Sequence, residues 1–190
     1  MCKEKITFLK LPKLPESSEF KPCIEITDFC AFDNATNYSW ALHISEWTKQ
    51  AKTMLPQEID TILEWFQKGR SVILLHPETG TLVGHAAATF FYPDNSAEIG
   101  ALYIVEKMRR EGYAKQAVSA LINHLKKSAL QVTTFFALAN SNSGKVFDNM
   151  NAEIMPWDQL HPSVYEGCNT CPNKPTVGCC DTPYNLTTII

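Results

Sequence analysis

Arg109-Arg110-Glu111-Gly112-Tyr113-Ala114 is the segment of this 190-residue chain whose residue types and spacing point most directly to chemistry. It lies between an apolar run and an amphipathic one. The first turn of a helix leaves backbone N–H groups unpaired and carries the positive end of the helix dipole. A glycine there lets the backbone approach a ligand closely. The amides of Arg109 to Ala114 can then cradle a pyrophosphate, with Arg109 and Arg110 adding charge-assisted hydrogen bonds. By itself Arg-x-x-Gly-x-Ala is a common string, and taken alone it reads first as a helix entry with two solvated arginines. A second group is Cys168-x2-Cys171-x7-Cys179-Cys180. Four thiolates on a short loop can hold Zn²⁺ tetrahedrally, and His161 can replace one of them. Adjacent cysteines on an extended chain point opposite ways, so uncoordinated, partly packed thiols are favoured over zinc. A labile disulfide is the third reading.

These groups need elements to position them, and the apolar pattern supplies an order. Residues 1–22 read as an irregular arm. Cys23 to Phe29 alternates like a half-buried strand, and Trp40 to Met54 has helical spacing. A second helix carries Ile59, Ile62, Leu63 and Phe66 on one face, with Pro56 in its first turn and Gly69 at its end. Ser71–Leu75, Thr81–Tyr92 and Ala97–Val105 form an antiparallel meander through turns at 77–80 and 93–96. Ala114, Ala117, Val118, Leu121, Ile122 and Leu125 then make a regular helical stripe. Strand Gln131–Leu138, a short helix at Ser143–Met150, and strands at Ala152–Pro156 and Tyr184–Ile190 follow. Residues 157–183 are an insertion between the last two strands. The expected fold class is a single mixed-sheet α/β domain over residues 1–190.

Composition narrows the function classes. Apolar types make up 45% and charged types 19%, the balance of a globular protein, and 8 Gly with 11 Pro exclude collagen-like or low-complexity sequence. The net charge of −3 argues against a nucleic-acid partner. No run is apolar enough to span a membrane, and the first twenty residues lack the apolar core and cleavage site of a secretory leader. Seven cysteines, an odd number, argue against a secreted disulfide framework. A cytoplasmic location is therefore expected.

In this context the strand Ala97–Val105 followed by Arg109-x-x-Gly112-x-Ala114 and a helix resembles the acetyl-CoA-binding core of the GNAT N-acetyltransferase superfamily. That family carries (Gln/Arg)-x-x-Gly-x-(Gly/Ala) at this point. A second block about thirty residues on has Asn140, Ser143, Phe147, Asn151 and Ala152 at the family's motif positions. The resemblance covers Val72 to Met155 and implies an antiparallel meander followed by a βαβ core. It implies a strand pair splayed at a bulge, with the pantetheine arm of acetyl-CoA inserted between the two strands. By position that arm would meet the backbone of Leu102, Tyr103 and Ile104. The pyrophosphate would meet Arg109, Arg110, Glu111, Gly112, Tyr113 and Ala114. Asn140 would hold the pantetheine side, and Phe147 would lie near the thioester.

The implied activity is acetyl-CoA-dependent N-acetyl transfer, by direct attack of a primary amine within a ternary complex. The acceptor is a small-molecule amine or a protein lysine or N-terminus, and a homodimer is left open. Glu98 stands close to the position of the general base in one branch of the family, and an apolar setting from Ile99, Phe90 and Phe91 would raise its pKa. A solubilising strand glutamate is the plainer alternative. Many members carry a tyrosine where Phe147 stands, placed to protonate the departing thiolate, and Phe147 cannot do so. Tyr103 and Tyr184 are conceivable replacements, and His85 is a polar wall of the site or a satisfied structural histidine. The departure at Phe147, and the Asn151-Ala152 pair in place of the usual Gly-Phe, leave open an acyl-CoA-binding sensor or interaction module.

Overall fold

The computed structural model describes residues 24–26, 34–51, 53–76, 79–169, 171 and 180–189. The elements are β1 (Ile24–Ile26), α1 (Asn34–Gln50), α2 (Ile59–Gln67), β2 (Ser71–Leu75), β3 (Leu82–Phe91), β4 (Ser96–Ile104), α3 (Tyr113–Lys127), β5 (Thr134–Ala139), α4 (Gly144–Asp148), β6 (Glu153–Ile154), α5 (Ser163–Asn169) and β7 (Thr182–Asn185). The strands form one sheet in the order β1-β2-β3-β4-β5-β7-β6. Only the β4–β5 pair is parallel, with α3 as its crossover; every other pair is antiparallel. This is the expected meander followed by a βαβ unit.

The sheet is covered on both faces, which explains why β2 reads as an unbroken apolar run. Along it Val72 and Leu74 join the core beneath α3, whereas Ile73 and Leu75 join the core beneath α1 and α2. The stripe on α3 buries Ala117, Val118, Leu121, Ile122 and Leu125 against Ala86, Ala88, Ala97 and Ile99. On the opposite face Trp40, Ala41 and Ile44 of α1 and Ile62, Trp65 and Phe66 of α2 pack on Ile73, Leu82 and Ala87. A third, smaller cluster joins Phe136 of β5 to Met155, Leu160 and Val164, with Tyr92, Leu138 and Trp157 against it.

Several boundaries differ from expectation for local physical reasons. Helix α1 begins at Asn34, six residues before the first apolar position, because its first turns are largely exposed and carry no hydrophobic period; Met54 falls beyond its end. Pro56 lies outside α2, which starts after Glu58 in an extended N-cap conformation. Strand β7 begins at Thr182 and ends at Asn185, short of the C-terminal residues expected to extend it. The insertion is not structureless, since a 3-10 turn at Trp157–Gln159 and helix α5 occupy part of it. The expected arm over 1–22 and the flanks of the first strand lie outside the described residues, as do Cys2, Cys23, Cys30 and Cys179.

Gly84 on β3 meets its neighbours closely. A Cβ there would stand 2.6 Å from Ile104 Cδ1, 3.1 Å from the Tyr103 carbonyl and 3.2 Å from Leu74 Cδ1. Gly84→Ala is expected to destabilise the protein by about 1–3 kcal/mol through overpacking. A lowered urea midpoint with unchanged m-value would register this.

Candidate active site

Strands β4 and β5 run side by side only at their beginnings. Ser96, Ala97 and Glu98 pair with Thr134, Phe135 and Phe136, and the ladder stops there. Beyond Glu98, β4 stays with β3 as far as Ile104 opposite Gly84, whereas β5 stays with β7 as far as Ala139 opposite Thr182. Two register irregularities between β3 and β4 accompany the divergence, one between Ala88 and Phe90 opposite Ile99 and Glu98, the other a bulge further along. The register passes from Ala87–Gly100 to His85–Tyr103, so β4 spends one extra residue, and Ala101 takes a left-handed φ of 47°. The inner edges of the fork are therefore not joined to each other, and an extended ligand chain can hydrogen-bond between them. Leu102, Tyr103 and Ile104 form the β4 side of this fork.

A buried histidine supports the bulge. His85 on β3 has no exposed surface and places Nδ1 3.1 Å from the Ala101 carbonyl, so Nδ1–H donates there. Its ring stacks on Trp65 and meets Phe66 edge-on. Burial pushes its pKa down to about 4, against a smaller opposing effect of the Ala101 hydrogen bond. The imidazole is therefore neutral at pH 7. The Ala101 bond fits a structural role for His85, but the ring is only half satisfied, because its Nε2 is buried without a hydrogen-bond partner.

The chain leaves β4 through a 3-10 turn at Glu106–Met108 and reaches α3 by a tight entry. Arg110 and Gly112 both take left-handed conformations, with φ of 68° and 79°. Arg110 bears that strain as a non-glycine residue. Alternating backbone handedness of this kind turns N–H groups into a concave anion cradle. Among the described residues, no partner is recorded for the amides of Arg110, Glu111, Gly112 and Ala114. Two members of the expected set are engaged elsewhere. The Arg109 amide donates to the Glu106 carbonyl, and its Nε donates to the Ile104 carbonyl while the guanidinium lies over the Tyr103 ring. Tyr113 is buried in the core beneath α3, so only its backbone faces the turn. Tyr103 also stacks on Trp47 of α1, at 5.0 Å between centroids.

Asn140 closes the far end of β5. Its Oδ1 accepts from the amides of Asn142 and Ser143 in the turn before α4, and its Nδ2 donates to the Thr53 carbonyl at 2.7 Å. The amide expected to hold a pantetheine arm is thus engaged with the α1–α2 connection. Phe147 is buried against Tyr184, and the Tyr184 hydroxyl donates to Asp148 at 2.8 Å. That bond raises the phenol pKa. It also directs the Tyr184 proton to a carboxylate.

Glu98 lies on the sheet face opposite α3. Of the neighbours expected, Phe90 is beside it, whereas Ile99 and Phe91 alternate onto the α3 side, where Arg70 covers the Phe91 ring. Phe136 and Tyr92 join Phe90 in its surroundings: Phe90 and Phe136 are its register partners, and the Tyr92 hydroxyl donates to Glu98 Oε2 at 3.0 Å. Burial raises the Glu98 pKa, and the Tyr92 hydrogen bond partly offsets this. Sequence reasoning passed over Tyr92. The turn 93–96 was the available signal, since it brings Tyr92 back beside the start of β4.

Cys168, Cys171 and Cys180 are half-buried thiols. Among the described residues, no three His, Cys, Asp or Glu side chains are arranged to hold a metal, and no helix is long and apolar enough to cross a membrane.

Comparisons with known proteins bear on this arrangement. The chain matches the acetyltransferase (GNAT) family over residues 35–149. No curated protein sequence matches it. Among solved structures it is similar to N-acetylglutamate synthase from Neisseria gonorrhoeae complexed with coenzyme A and N-acetyl-glutamate, with 16% identity and a TM-score of 0.64. That match covers 85% of this chain and only 34% of the synthase. An acetyltransferase of the GNAT family from Staphylococcus aureus Mu50 has 10% identity and a TM-score of 0.58, over 87% of this chain and 99% of that one. A Salmonella typhimurium structure with acetyl-CoA as its cofactor has 13% identity and a TM-score of 0.54, over 71% and 82% of the two chains.

The His85 environment makes a pH prediction. A histidine whose folded-state pKa lies below its unfolded value contributes stability above the unfolded value, and this is lost as the pH falls through the folded one. From the ordinary 6.5 to about 4, the loss is about 3 kcal/mol on the scale of 1.36 kcal/mol per unit. His85→Gln keeps a donor for Ala101 and removes the titration. Denaturant titrations from pH 7 to 4 should show the wild type losing about that much more stability than the variant.

Proposed function

Because this chain belongs to the GNAT acetyltransferase family, we propose that it is an N-acetyltransferase carrying acetyl from acetyl-CoA directly to a primary amine. The observation that carries the reading is the β4–β5 fork running straight into the turn at Arg110–Ala114. A pantetheine arm fits a gap edged by unjoined strands, and a pyrophosphate fits a turn of convergent amides. The donor's two recognisable parts thus meet two consecutive segments of one chain. For the arm to reach the end of β5, it must pass or displace the Asn140–Thr53 hydrogen bond.

The reaction is a single displacement. The amine nitrogen attacks the thioester carbon, the C–N bond forms, the C–S bond breaks, and CoA leaves as thiolate or thiol. An ammonium acceptor must first lose a proton, and Glu98 is the group proposed to take it. Its raised pKa brings it nearer the pH at which a base is efficient. None of the described cysteines is assigned an acetyl-carrying role. Small-molecule amines and protein amines remain the two acceptor classes.

Phe147 favours a second reading, an acyl-CoA-binding module with weak turnover. Neither it nor Tyr184, whose proton is directed to Asp148, supplies an acid for the departing sulfur. Release of CoA from acetyl-CoA with a panel of amines separates the readings: steady release with any amine supports transfer, and tight acetyl-CoA binding without release supports the module.

Two variants test the assignments. Gly112→Val forces a branched residue into a left-handed conformation at the anion turn. It should weaken acetyl-CoA binding more than tenfold, about 1.4 kcal/mol, by calorimetry on protein with a native melting curve. Unchanged affinity removes the turn from the donor site. Glu98→Gln should slow transfer at neutral pH by about 10²-fold, with little change in acetyl-CoA affinity. An unaltered pH–rate profile reassigns the base.

A further inference from the structure

Tyr92 has no part in the reading above, yet its surroundings are unusual for a tyrosine at the end of a strand. Its hydroxyl donates to Glu98 Oε2, and its ring is held from three sides. Phe136 of β5 lies 5.7 Å away between centroids, His161 of the insertion 5.9 Å, and Phe90 of β3 6.4 Å. The ring also packs on the cluster of Phe136, Met155, Leu160 and Val164, so the folded start of the insertion forms one wall of its pocket. Beside it, the Tyr92 amide donates to the Ser96 carbonyl across the turn that begins β4. A phenol fixed at ring and backbone presents its hydroxyl to Glu98 in one place. We propose that Tyr92 is a positioning residue, holding the Glu98 carboxylate in a single orientation on the outer face of the fork.

This rests on the reading of Glu98 as the base. The charged and titratable groups around the pair come from two further segments: Asp94 on the β3–β4 turn, and His161 and Cys168 on the insertion. A hydrogen bond donated to the ionised carboxylate stabilises that form. Without it, a half-buried carboxylate has one donor fewer and binds its proton more tightly. Burial and the Glu98 carboxylate together push the Tyr92 pKa far up, so the phenol remains a donor throughout the working range.

The test is Tyr92→Phe, which keeps the ring in its cluster and removes only the hydroxyl. Protein labelled with carboxyl-¹³C glutamate allows the Glu98 titration to be followed by NMR, with its signal assigned from Glu98→Gln. The expected result is a midpoint about one unit higher in Tyr92→Phe, a tenfold rise in proton affinity. The acid limb of kcat/KM for the amine should move up by the same amount, with acetyl-CoA affinity unchanged. An unshifted Glu98 midpoint overturns the proposal, whether or not turnover is detected. Failure of the base reading looks different: Glu98→Gln would keep the wild-type pH–rate profile while the NMR midpoint still responded to Tyr92→Phe.

Discussion

The site depends on the parting of β4 from β5 after three paired residues. A parallel ladder has no intrinsic reason to stop there, because both strands continue for several residues and remain paired on their outer sides. The β3–β4 register shifts at that point, between Ala88 and Phe90, and again three residues on, where β4 carries an extra residue and Ala101 is left-handed. A non-glycine residue in that conformation persists only where its surroundings determine it. Here the His85 side chain bonds the Ala101 carbonyl, and His85 is itself locked between β3 and the aromatic rings of α2. The bulge beside the fork is thus held from the interior.

That core separates two kinds of work by face. Beneath α3 the residues are apolar and anchor the helix, whose first turn follows β4 through the 3-10 turn at Glu106–Met108. The N–H groups at that turn owe their convergence to the left-handed Arg110 and Gly112. On the other face, Glu98 and Tyr92 lie in the region bordered by the insertion. One strand therefore leaves backbone along an unjoined edge and a carboxylate on its outer surface, the two features to which the proposed function gives the donor and the acceptor. The strand alternation that sends Ile99 inward is what sends Glu98 outward.

The insertion takes on a meaning that its cysteines do not supply. Its first half is folded through a 3-10 turn, α5 and apolar contacts from Leu160 and Val164 to Phe136. Packing therefore pins this half. Through His161 and the same cluster it reaches Tyr92, and through Tyr92 it reaches Glu98.

Features encoded by neighbours along the chain were legible beforehand. The α3 stripe, the three-strand meander and the glycine at the helix entry all depend on spacing within a dozen or so residues, which is the range of a helical or strand period. The sequence by itself determined the order of the elements other than α5 and the location of the glycine turn that leads into α3. Exposed ends such as Asn34–Ser39 left no period to read, and α5 was hidden in a stretch dominated by its cysteines. Only the tertiary structure decided which side chains face Glu98, because Phe91 and Ile99 differ from Phe90 and Glu98 by one position and one position reverses the face of a strand. It alone joined His85 to Ala101 across 16 residues and Asn140 to Thr53 across 87. Such partners are chosen by the packing of whole elements, and no local pattern carries that information.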